Sequence, residues 1–488
     1  MREVFEYPFS NLDPVDSEHV DPPAVAVFEP LLRRGVGGTP EPGLAADWRV
    51  SDDGLTWRLG LRPGASFHSG DVCDAEAVVR ALAKCRWSEG WSRQLWYWDP
   101  VDEVRAAGDT VEITLRHPCV RLPSLLWGMH TAIFNVDRRW RSGQRFTQGS
   151  VDGTGPYRVV EASEEHIRAV TAVTAVGSSA DPSLGLEWRA LPDRGARRSA
   201  LERGVADIVR DVDPEWIDGT LAADWRYLEH PENSQYYLAL DFDDARGFAD
   251  IELRRAIEAF IDREEIVAEA FGGRGDARRS PVPVADELAG SYDPADASRL
   301  KADQAEAVLR RLGWLRRPDG VRARGADRLA IDCVAPDTDQ ARRVAGVVQR
   351  QLRAAGVDLE LRFVGVFDRF YQACAERPAA FINKWLWPDA VEAIIGFSRA
   401  DCAADSGANW QGARVPEVDR AYDRFLESAT AAEAHRRAGD VQRAFMEGLP
   451  YIPLCSPSFG HAVRRSVTGF RPEAHALYPS YSSLGHAL

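Results

Sequence analysis

The sequence has 488 residues, 45% of them hydrophobic, and a formal net charge of −15. That length exceeds one ordinary core and asks for two or three domains. Acidity without basic blocks excludes a nucleic-acid binder of the electrostatic kind, and no apolar run reaches the roughly 18 residues of a membrane span.

The chain opens MREVFEYPFS. It shows no basic segment followed by an apolar one, so no signal peptide is expected. As written, the protein is read as cytoplasmic; as a processed form, it would be extracytoplasmic. Residues 2–7 have strand composition and lead to a turn around Asn11 and Pro14. Pro22-Pro23 precede an apolar run, AVAVFEPLL, read as helical. WRVSDDGLTWRLGLR is a hairpin turning at Asp53-Gly54. Asp74 can cap a helix, AEAVVRALAKC. VDEVRAAGDTVEITLR is a second hairpin, turning at Gly108-Asp109. A strand follows GTGPY, and LERGVADIVRDV ends a helix at Gly204 before a short strand.

Residues 236–242, YYLALDF, are a buried-strand candidate. ELRRAIEAFIDREEIVAEAFG reads as one amphipathic helix ending at Gly272-Gly273. ADQAEAVLRRLGW is another helix. LAIDCVAP, DQARRVAGVVQRQLRAAG and DLELRFVG form a strand–helix–strand unit, as in a parallel sheet. VDRAYDRFLESA and AEAHRRAGDVQRAFMEGL make a late helix pair. Seven cysteines, Cys73, Cys85, Cys119, Cys333, Cys374, Cys402 and Cys455, form no C-x-x-C pair, and their odd number argues for reduced, buried thiols. Histidines do not fall at metal-ligand spacing, and there is no nucleophile elbow, Walker loop or strand-placed dinucleotide loop. No metal and no cofactor are expected.

The order of motifs resembles the family 5 extracellular solute-binding proteins, the dipeptide, oligopeptide and nickel type associated with ABC importers. Residues 28–70 look like that family's signature, with PGLAADW, DDG, LRPG and FHSG in series. GTGPYRV at 153–159, DIELRRAIEAFIDREEIV at 250–267, YDPADASRL before LGW at 312–314, and LPYIPLCSP before VTGFRP follow in the family order. The resemblance implies an α/β, periplasmic-binding-protein-like type II clamshell of two lobes with an extra subdomain. Lobe I would comprise 1–30, 150–235 and 458–488, the inserted subdomain 31–149, and lobe II 236–457. YYLALDF and YIPLCSP would be the hinge crossings, with a ligand enclosed between the lobes. The implied partners are a small-molecule ligand and an ABC permease, for a monomer.

In such proteins KWLWPDA, residues 384–390, falls on a segment whose first Asp anchors the α-amine of a bound peptide. Aligned on Pro388-Asp389, Leu386 takes that place and Trp387 that of a Tyr. A desolvated ammonium needs a charged partner, so the usual amine clamp is missing in this register. Lys384, Trp385, Leu386, Trp387 and Asp389 are the implied ligand-facing set, the indoles open both to stacking on ligand and to core packing. Trp96 and Trp98, in a cluster with Trp87 and Trp91, would form either an aromatic wall or a local hydrophobic cluster. His130 lies on a stretch that approaches the ligand chamber in the family; His68 lies in the FHSG turn. Carboxylates available for acid/base work are Glu29, Asp241, Asp243, Asp389 and Glu392. With them, a second function stays open: an intracellular clamshell of specialised metabolism, for example an enzyme of Pictet–Spengler type condensing an aryl-ethylamine with a carbonyl compound. A cytosolic sensor or carrier is the third.

Overall fold

The computed structural model describes residues 1–9, 12, 22–35, 38–86, 98–128, 131–138, 151–172, 184–366, 368–387, 389–402, 408–472, 481 and 484–486. The chain divides into two units. The first comprises 1–230, 426–431 and 459–488, the second 231–425 and 432–458.

In the first unit, Arg2–Phe5 runs parallel to Leu186–Ala190 on one side and to Ile208–Arg210 on the other. The sheet continues antiparallel through His166–Thr171 to Tyr157–Ala162. Ile208–Arg210 pairs antiparallel with residues 461–463. Val4, Leu201, Val209, Trp216, Trp225 and Ala462 close one core cluster against this sheet. A separate antiparallel sheet joins Ala45–Val50, Thr56–Leu61, Thr110–Leu115 and Val101–Ala107. Both of its hairpins turn on a glycine in the left-handed region, Gly54 at φ 72° and Gly108 at φ 64°. Helix Ala75–Arg86 starts where expected, with the Asp74 carboxylate accepting from the Ala77 N–H at 2.9 Å.

In the second unit, Ala330–Pro336 and Asp358–Val364 pair in parallel, joined by helix Asp339–Ala354. The sheet extends through Ala380–Leu386 to Ser234–Leu240 and then to residues 452–455. Ser234–Leu240 is buried at every position. It is hydrogen-bonded on both edges, so it is the middle of this sheet. The chain passes between the units after His230, Phe425, Ala431 and Ser458.

Two helical expectations need correction. The run AVAVFEPLL is helical only over Pro22–Val27, and Leu32–Arg34 is a strand. Pro30 disfavours helical geometry at Glu29, which ends the helix before it. ELRRAIEAFIDREEIVAEAFG is two helices, Ile251–Ala259 and Arg263–Phe271. Asp262 starts the second by accepting from the Glu265 N–H at 3.1 Å, and Gly272 closes it at φ 61°.

The first unit buries an acid. Glu3 is 3% exposed and accepts from the Tyr481 hydroxyl at 2.7 Å; that hydroxyl in turn accepts from the Trp188 indole at 3.2 Å. Desolvation pushes the Glu3 carboxyl up to about 7, against an opposing pull from Arg210. Between its ordinary value and 7, the folded chain holds a proton that the unfolded chain lacks. The contribution to stability is therefore full at low pH and is lost as pH rises through 7. Glu3→Gln, which keeps an acceptor for Tyr481 without the charge, is expected to match the parent in urea unfolding at pH 5. At pH 8.5 it should be more stable by about 2 kcal/mol.

Candidate functional site

The second unit gathers most of the singled-out residues at one strand end. Ala380–Leu386 follows the burial pattern buried–buried–buried–buried–half–buried–half. Side chains alternate across a strand, so Lys384 and Leu386 share a half-open face while Trp385 points the other way. Opposite them in the antiparallel register stand Tyr236, Ser234 and Gln235 respectively. Trp385 is 2% exposed, and its indole N–H donates to the Tyr451 hydroxyl at 3.3 Å. Tyr451 in turn packs against Tyr237 and Phe445, with ring centroids 4.6 Å apart in each case. Trp385 is thus part of the aromatic core. Trp387 is half-buried, its ring edge-on to Phe397 at 6.4 Å.

On the half-open face, the Lys384 ammonium lies 2.9 Å from Glu232. Glu232 is buried and also accepts from the Ser234 hydroxyl at 2.5 Å. The turn beyond the strand is held by a polar ring. The Asn233 amide donates to the Trp387 carbonyl at 3.0 Å and to Asp286 at 3.2 Å. Asp286 also accepts from the Ala390 N–H at 2.9 Å and from the Leu288 N–H at 2.9 Å. Asp389 caps helix Ala390–Gly396, accepting from the Val391 and Glu392 N–H groups at 3.0 and 3.2 Å. Glu392 is buried in the first turn of that helix. Both carboxylates are therefore built into a helix start, where the helix dipole favours negative charge. Glu232, Asn233 and Asp286 were not singled out from sequence. The run Glu232-Asn233-Ser234-Gln235 entering an apolar strand is the signal that marks them, because buried polar groups must find partners.

The other candidates lie elsewhere. Glu29 belongs to the first unit, where Arg33 and Arg62 each reach its carboxylate at 2.8 Å. Asp243 meets Arg414 at 2.8 Å and Arg377 at 2.9 Å. Hydrogen bonds from these guanidinium groups hold its carboxyl well below the usual carboxylate range. Asp241 also pairs with Arg377. Trp98 is buried, with the Arg86 guanidinium 6.0 Å from its ring. His68 meets the Gly155 carbonyl at 2.8 Å, and burial lowers its pKa, which fits a neutral, structural imidazole. His130, Trp96, Trp87, Trp91 and Pro388 lie outside the described residues. Among the described residues no three His, Cys, Asp or Glu side chains converge as a metal site, and no helix is long and apolar enough to cross a membrane.

Residues 39–399 match the family described as bacterial extracellular solute-binding proteins, family 5 Middle. The glutathione-binding protein GsiB of Salmonella paratyphi A is 24% identical over 484 residues, which cover 95% of this chain and 90% of that protein. NikZ from Campylobacter jejuni, solved in complex with Ni(L-His), superposes with a TM-score of 0.86 at 18% identity, covering 99% of both chains. The oligopeptide-binding protein AppA from Bacillus subtilis, in complex with a nonapeptide, gives 0.86 at 16% identity, covering 100% of this chain and 99% of that one. At these identities the solved structures speak for the fold alone, a type II periplasmic-binding-protein fold.

The two tryptophans should separate in unfolding experiments. Trp385→Ala empties a core position and is expected to cost about 3–5 kcal/mol in urea unfolding. Trp387→Ala removes a half-open ring and should cost about 1 kcal/mol. Equal losses would contradict the difference in burial between the two indoles.

Proposed function

The chain belongs to family 5 of the bacterial extracellular solute-binding proteins, and from that membership we propose that it holds a small peptide-like ligand as the substrate-binding component of an ABC importer. The observation that carries the reading is the strand end itself. Lys384 and Leu386 form a half-open strand face of one charge and one aliphatic group, and the half-buried indole of Trp387 follows directly after the strand, on a backbone fixed by Asn233, Asp286 and Asp389. A rigid support with few polar groups on an apolar wall is the usual make-up of a small-ligand site. Relatives named for glutathione, a nonapeptide complex and a Met-Leu complex make a peptide-like ligand the first class to test.

Leu386 supplies no carboxylate for a ligand amine, which weighs against ordinary amine-clamped capture. The condensation-enzyme alternative gains no support. Of its acid/base candidates, Asp389 caps a helix, Glu29 stands in two ion pairs, Asp241 and Asp243 are paired with arginines, and Glu392 is buried in a helix start.

Calorimetric titration of the parent protein with dipeptides, tripeptides, glutathione and nickel–histidine tests the class. Peptide-like compounds are expected to bind, and Trp387→Ala should weaken them by about 1–3 kcal/mol. Binding of nickel–histidine alone, or peptide affinity untouched by Trp387→Ala, would contradict the reading.

A further inference from the structure

The run 251–271 breaks at Asp262 into two helices, and a cleft of about 500 Å³ lies at the break, within the second unit. Its walls are residues 259–264 together with Ala277, Arg279 and Arg299. Here two guanidinium groups share one carboxylate. Glu258 accepts from Arg279 Nε at 2.5 Å and Nη2 at 2.6 Å, and from Arg263 Nη2 at 2.9 Å. The side chains of Glu258, Arg279 and Arg263 are 1%, 9% and 4% exposed. Burial pushes the Glu258 carboxyl up, but the hydrogen bond from Arg279 and the charges of Arg263 and Arg279 outweigh it and hold the group below its ordinary value. The carboxylate is therefore ionised, and this buried cluster carries two positive charges against one negative. An unbalanced buried charge is costly. Burial pulls the Arg263 guanidinium down to about 10 against the attraction of Glu258, and Arg299 and Arg279 add to the lowering.

Arg263 donates through Nε to the Pro453 carbonyl at 2.9 Å and through Nη2 to Glu258. A guanidinium has five N–H donors, yet the Arg263 Nη1 is buried and has no hydrogen-bond partner among the described residues. Arg263 is also the first residue of helix Arg263–Phe271, whose positive end favours anions. Arg299 brings a third guanidinium to the cleft. It is exposed and donates through Nη2 to the Ile261 carbonyl at 2.7 Å. Two acids line the cleft as well, Asp262 and Glu264. Both are exposed, where water and salt screen them, and Asp262 is engaged as the helix cap.

We propose that this cleft is a second binding site, for a small oxyanion: a carboxylate or phosphate group that meets Arg263 inside the cleft and Arg299 at its mouth. Planar guanidinium groups pair with both kinds of oxyanion in bidentate fashion. The anion supplies the negative charge that the buried cluster lacks. Arg263 also holds the Pro453 carbonyl, on the strand next to Ser234–Leu240. Occupancy therefore stabilises, by linkage, the same sheet that carries Ala380–Leu386. None of this depends on what the strand end binds.

Calorimetric titration with inorganic phosphate and with succinate, each against sodium chloride at equal ionic strength, tests the site. The parent is expected to bind at least one of the two anions, one per chain, and the tighter of them identifies the group that the cleft reads. Arg299→Gln changes an exposed side chain and should weaken binding about 10-fold, near the low end for a hydrogen bond to a charged group. Ala277→Asp places a carboxylate in the half-buried lining and should abolish binding of the free anion. Arg263→Met leaves Glu258 paired with Arg279 and should also abolish it; if that variant fails to fold, the other two carry the test. No binding of either anion beyond the chloride control overturns the proposal. So does parent-like affinity in Arg299→Gln or in Ala277→Asp, which would place the anion elsewhere on the chain.

Discussion

The register between Ser234–Leu240 and Ala380–Leu386 is the constraint on which the candidate site depends. A strand has only two faces, and a slip of one residue exchanges them. In the observed register the Trp385 indole joins Tyr451, Tyr237 and Phe445 inside the second unit. Lys384 and Leu386 are left on the open side. The exchanged register would bury an ammonium in an aromatic core and expose an indole. Both changes are unfavourable, and burial of the charge is the larger penalty. Burial of Trp385 is thus what presents Lys384.

The polar groups around the strand end do a different task from the open face. Asn233, Asp286 and Asp389 spend their hydrogen bonds on backbone groups of the turn and of the following helix. Such networks hold a geometry when every member is satisfied. The division ties up much of the carboxylate surface beside the strand end: both oxygens of Asp286 and one of Asp389 already serve N–H groups.

Much of the fold was legible because local chemistry and tertiary structure agree. The two glycine hairpins, the Asp74 cap and the strand–helix–strand unit from Ala330 to Val364 all follow from turn residues and periodicity. Two elements misled. Pro30 and Asp262 act as punctuation inside runs whose apolar spacing alone continues a helix. At the site, KWLWPDA was legible as a segment, yet its two tryptophans read alike until the strand was seen to end at Leu386, with Trp385 buried inside it and Trp387 half-buried beyond it. Glu232 could not be paired with Lys384 from sequence, because the contact joins residues 152 positions apart. Only the polar run before YYLAL hinted that something there needed a partner.

The most direct measurement is a two-dimensional NMR spectrum of the tryptophan indole N–H groups. Trp385→Phe and Trp387→Phe would assign the two signals, followed by titration with an N-acetyl dipeptide mixture. The Trp387 signal should shift in proportion to occupancy while the Trp385 signal stays in place. Movement of the Trp385 signal, or saturation with the Trp387 signal unmoved, would contradict the assignment of this strand end as the ligand wall.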